Sequence, residues 1–163
     1  MKEIFNSERG FTLVELGIVF AIIAFLLGFV TLNLGSVQKV TSINSVIDTL
    51  VSDIKSQQTK AMAGAGNSGT GESYGIYFQS DRYILFTGIT YSSTNSSNFT
   101  IMPGSNLEFV NSTFPDNSLV FSHQSGELNG FTDGMNTIVI QNIQGLGKKT
   151  VTVNRYGVIT KIN

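Results

Sequence analysis

Ser122 and His123 stand side by side near the end of a strand-like stretch, and His123 is the only histidine in the chain. Any imidazole chemistry would rest on it. A hydrolytic triad also needs an acid to orient the ring and an oxyanion hole, and no nucleophile-elbow spacing surrounds Ser122. Glu127, Asn129, Asp133 and Asn136 form an oxygen-rich run. Their spacing departs from a calcium-binding EF-hand loop, whose ligands follow a fixed pattern ending in glutamate. GAGNSG, at the start of a Gly-rich stretch over 64–71, matches G-x-G-x-x-G. The dinucleotide mechanism requires a strand before that motif and a helix after it. Here a helical pattern precedes it and the strand-like YGIYF follows. Cysteine is absent, so thiolate metal sites and disulfides are excluded. No cofactor and no catalytic residue are expected, and the chain is read as a non-enzyme.

The residue that does demand a chemical explanation is Glu15. It stands near the start of RGFTLVELGIVF, and the next charge is Lys39. The charge-free stretch 16–38 would make about 35 Å of helix at 1.5 Å per residue, enough for a ~30 Å hydrocarbon core. A carboxylate within lipid costs roughly 2.5–3.5 kcal/mol on insertion scales. The apolar run exceeds the ~7–15 residues of a secretory signal, and no A-x-A-like site follows it. Lys2 and Arg9 are offset by Glu3 and Glu8, so charge around the leader says little about orientation. The chain has 163 residues and a formal net charge of −1, which gives no general reason to expect nucleic acid or an acidic substrate.

The polar leader MKEIFNSERG, then FTLVEL, then some twenty apolar residues resembles the class III signal of type IV pilins and type II secretion pseudopilins. That resemblance implies a prepilin peptidase that cuts after Gly10 and methylates the new N-terminus at Phe11. It also implies an assembly role for Glu15. Cleavage would create an α-amine four residues before Glu15, on this subunit or on its neighbour in a filament. A cation there would offset the cost of the carboxylate at low dielectric. The implied partners are the peptidase, other pilins or pseudopilins, an inner-membrane assembly platform and membrane lipid.

The elements that position these residues follow from periodicity. Val37, Val40, Ile43, Ile47, Leu50, Ile54, Ala61 and Met62 recur at steps that mark one helix face, with Lys39, Asn44, Asp48, Ser52, Lys55 and Ser56 opposite. The Gly-rich 64–71 stretch ends that helix. Strands are expected at 74–78, 83–88, 107–110, 118–122, 137–143, 150–155 and 157–162, with turns at QSDR and QGLGK. SSTNSSN at 92–98 reads as a polar loop. The expected fold is α+β and pilin-like: a long N-terminal helix, transmembrane and then amphipathic, packed on an antiparallel β-sheet domain. Its parts are a leader at 1–10, a transmembrane helix at 11–35, an amphipathic helix at 36–63 and a β-rich extracytoplasmic domain at 64–163.

LVSDIKSQQTKAMA (50–63), VFSHQSGE (120–127) and the late YGVIT (156–160) resemble H-type minor pseudopilins and FimT-like minor pilins. This likeness implies a minor subunit that primes or caps a filament in type II secretion or a type IV pilus. It would lie in the inner (cytoplasmic) membrane as a single-pass protein with its C-terminal domain in the periplasm. The alternatives are a major pilin or a DNA-binding uptake pilin. For the latter, Lys148, Lys149, Arg155 and Lys161 are the candidates, since no acid follows Asp133. The DNA-binding members share a basic G-R-x-[RK] tail, and here Gly157-Val158-Ile159-Thr160 stands in that place. Nucleic acid is therefore not expected.

Overall fold

The computed structural model describes residues 10–64, 71–104, 106–144 and 147–163, leaving aside the side chains of 29–42. It divides into two compact units, Met1–Gln38 and Lys39–Asn163. Helix α1, Leu13–Met62, contributes to both. In the first unit its described side chains are exposed on every face, from Leu13 to Leu27. Among the described residues no helix is long and apolar enough to cross a membrane. The expected span at 11–35 is therefore not carried by them. The part of α1 with described side chains before 29 is about 24 Å long at 1.5 Å per residue, short of a ~30 Å core. Positions 29–35 of that span lie outside the described side chains.

The second unit is built from α1 and two four-stranded antiparallel sheets, where sequence patterning led us to expect one. The strands are β1 (Tyr74–Phe78), β2 (Tyr83–Thr87), β3 (Phe99–Ile101), β4 (Leu107–Val110), β5 (Ser118–Phe121), β6 (Thr137–Asn142), β7 (Lys148–Val153) and β8 (Ile159–Ile162). Sheet A runs β3-β2-β1-β5 and sheet B runs β4-β6-β7-β8. The β1–β2 turn closes where the Gln79 amide donates to Arg82 O at 2.9 Å. Asp81 and Arg82 pair there at 2.5 Å, which holds the Asp81 carboxyl below the usual carboxylate range.

Period-two burial explains why both sheets turn one face inward. In β6, Ile138 and Ile140 are buried and alternate with half-buried neighbours, and in β7 Val151 and Val153 do the same. These side chains join Phe78, Tyr83, Phe109 and Phe121 in one core, together with Ile43, Ile47, Leu50 and Ile54 of α1. The predicted apolar helix face is thus the core face over its described part. Met62 departs from it at 55% exposure, because the helix is ending there. Gly64, with φ 63°, follows the helix end in a left-handed conformation.

Polar side chains of α1 fix the helix to both sheets. Gln57, 1% exposed, donates through Nε2 to Gly75 O at 2.8 Å and Phe86 O at 3.3 Å. Gln58 Nε2 donates to Gly126 O at 2.9 Å and Tyr156 O at 2.7 Å. The Tyr83 hydroxyl donates to Asp53 Oδ2 at 2.5 Å. Gly157, at φ 74°, is where the β7–β8 turn approaches α1. A Cβ there would lie 2.5 Å from Gln58 Nε2 and 2.6 Å from Phe121 Cε1. Residues 127–129 join the sheets: Leu128 N–H donates to Arg155 O and Asn129 N–H to Val120 O.

Candidate processing and assembly site

The candidate site lies at the entrance to α1. Gly10, Phe11 and Thr12 precede the helix, and Phe11 is 88% exposed. Among the described residues nothing lies within 4 Å of where a Gly10 Cβ would stand. Gly10 and Phe11 are therefore open to an approaching enzyme.

Thr12 was not singled out from the sequence, yet it is the main partner of Glu15. The Glu15 amide donates to Thr12 Oγ1 at 3.2 Å. In return Glu15 Oε2 accepts from the Thr12 amide at 3.1 Å and from the Thr12 hydroxyl at 3.0 Å. This reciprocal arrangement is a capping box, which satisfies amides at a helix start that have no partner within the helix. The signal for it was present as T-x-x-E, the spacing such a box requires. Leu16 N–H donates to Thr12 O, the first bond of the helix itself. The carboxylate also sits at the positive end of the helix dipole. Glu15 is thus held at the helix start, with its carboxylate turned back toward residue 12.

The basic candidates lie on sheet B and its hairpin. Lys148 and Lys149 are successive residues of β7, so strand alternation sends them to opposite faces. Lys161, opposite Thr152, shares the face of Lys148. Arg155 pairs with Glu127 at 3.3 Å. The structure therefore splits the four cations rather than gathering them. In the oxygen-rich run, Asn136 is buried and donates to Val153 O at 2.8 Å, while Asn129 and Asp133 are exposed. Among the described residues no group of His, Cys, Asp or Glu is placed to hold a metal ion. The His123 ring packs against Gly71, where a Cβ would fall 1.7 Å from Cε1. Its backbone amide donates to Ser73 Oγ at 3.3 Å.

A short leader, an open Gly-Phe junction and a capped apolar helix ahead of an α+β domain are the features that a prepilin-type signal presents. Residues 5–31 match the family described as the prokaryotic N-terminal methylation motif, the class III prepilin signal. The match supports a type IV pilin-like or pseudopilin protein. No curated protein and no solved structure matches it. The signal implies a membrane anchor with an exposed domain, processing by a prepilin peptidase and assembly with other pilins.

Proposed function

We propose that the chain is a minor pilin or pseudopilin that primes or caps a filament, in type II secretion or a type IV pilus. The observation that carries this reading is the match over residues 5–31, which spans the capped start of a helix whose described side chains from Leu13 to Leu27 are exposed. In this reading Gly10 precedes the cut and Phe11 becomes the methylated N-terminus. Residues 11–35 anchor the protein in the inner membrane, and the domain after 35 faces the periplasm. Glu15 accepts the Phe11 amine of its own or a neighbouring subunit, which sets the axial register of assembly.

The test exploits the capping box. Glu15→Gln removes the charge, while glutamine at the third helical position still closes the box. Membrane insertion, cleavage after Gly10 and domain folding should all persist. Coexpressed with a prepilin peptidase, both wild type and variant should begin at N-methylated Phe11 by mass spectrometry. Co-purification of partner pilins from membranes should fall for the variant alone. Equal partner recovery with normal secretion or piliation would remove the assembly role from Glu15. A mature protein that still begins at Met1 beside an active peptidase would sink the processing assignment.

A further inference from the structure

The outward face of sheet A carries an aromatic and amide-lined groove. Alternation places Gly75 and Tyr77 of β1, Ile84 and Phe86 of β2, and Ser118 and Val120 of β5 on the face away from the core. Phe86 is nonetheless 1% exposed. Its ring lies over Gly75, where a Cβ would come within 2.5 Å of Phe86 Cζ. Tyr91, in the loop after β2, closes over this ring edge-on at 5.7 Å and 70°. The same Tyr91 stacks on Tyr77 with centroids 4.1 Å apart and planes within 7°. A glycine in β1 therefore lets a buried phenylalanine support two parallel tyrosines at the surface.

These tyrosines line an open groove of about 570 Å³, bounded by Thr90, Asp116, Asn117 and Asn129. The volume is in the range of small-molecule sites. Asp116 and Asn117 occupy left-handed backbone conformations at φ 50° and 52°. Aspartate and asparagine are the non-glycine residues that most readily adopt that region. Among the described residues no hydrogen bond engages the side chains of Asp116, Asn117 or Asn129, or either tyrosine hydroxyl. The lining holds one acid and no lysine or arginine, so it offers nothing to a phosphate or sulfate.

We propose that this groove binds a neutral or N-acetylated saccharide. The axial C–H bonds of a pyranose carry partial positive charge and suit the electron-rich face of a tyrosine ring. Its vicinal hydroxyls suit planar acceptor and donor pairs, here the Asp116 carboxylate and the Asn117 and Asn129 amides. Asp116 is the only carboxylate in the lining, whereas glycoside cleavage uses two flanking the bond. The groove holds the sugar without cutting it.

The test uses the full chain in a zwitterionic detergent, so that no sugar headgroup competes, titrated with chitotetraose, cellotetraose and maltotetraose by calorimetry. At least one should bind, and Tyr91→Ala should weaken it about tenfold, the scale of one well-placed ring contact. Tyr91→Phe should retain most of the affinity. Because Tyr91 also covers Phe86, Asp116→Ala serves as a second variant, at an exposed residue, and it too should weaken binding. Lys148→Ala on sheet B should change nothing. No binding of any of the three sugars, or binding indifferent to both Tyr91→Ala and Asp116→Ala, would overturn the proposal. So would loss of partner-pilin co-purification in Asp116→Ala with sugar binding unchanged, which would make the groove a subunit interface.

Discussion

Tyr83→Phe isolates one of the bonds that hold α1 against sheet A. The ring is 1% exposed and lies edge-on to Phe109 at 5.6 Å and 89°. Phenylalanine keeps that packing and removes only the hydroxyl that donates to Asp53. A hydrogen bond to a charged acceptor contributes about 1.5–3 kcal/mol. Asp53 is half-buried, so water can replace part of the lost bond, and the lower end applies. For a unit of roughly this size about 1.5 kcal/mol corresponds to a fall of about 6 °C in Tm. The chain has no tryptophan, so the transition is followed by near-UV circular dichroism of tyrosine, using the full chain in detergent. Alkaline pH provides a second arm. Burial first, and then the bond to Asp53, push the Tyr83 hydroxyl above its ordinary value near 10. A group whose folded-state pKa is raised stabilises fully below the unfolded value and loses that contribution as pH climbs above it. Wild type should therefore lose stability more steeply than Tyr83→Phe above pH about 10, and the gap between them should narrow. A Tm within 1 °C of wild type at pH 7, or parallel alkaline profiles, would refute the reasoning.

Three further outcomes test the fold and the helix entrance. A fragment of residues 36–163 should be soluble and folded, whereas one starting at Tyr74 should aggregate, since it uncovers the core faces of both sheets; equal solubility by size-exclusion chromatography would count against the helix as part of the core. Gly157→Ala should cost about 1–3 kcal/mol in denaturant unfolding, because it combines a left-handed backbone with contacts of 2.5 and 2.6 Å to Gln58 and Phe121. Thr12→Ala removes the cap and should cost about 1 kcal/mol of local helix stability, seen as faster amide exchange over residues 12–16, with the Glu15 charge and partner recovery retained.

Much of the β-domain was legible because strands leave a local trace. The alternation in TIVIQN and TVTV marks one inward face, and the strand bounds at 74–78 and 107–110 coincide with those read from the residues. The N-terminal signal was equally legible, since the match over 5–31 rests on contiguous residues. β3 was missed: it is three residues long, two of them exposed, and follows a serine- and asparagine-rich loop. Its strand character comes from pairing with β2, through Tyr83 opposite Ile101 and Leu85 opposite Phe99. Gln57 falls on the core face by spacing, three residues after Ile54, but its polar side chain gave no local sign of burial. The carbonyls of Gly75 and Phe86 that satisfy it lie 18 and 29 residues away. The division into two sheets and the stacking of Tyr91 on Tyr77 were likewise settled only by tertiary structure. Periodicity reports which side of a strand is apolar, because that follows from the chain's own geometry. Which strand lies beside it, and which loop folds over its far face, depends on partners distant in sequence that no local pattern encodes.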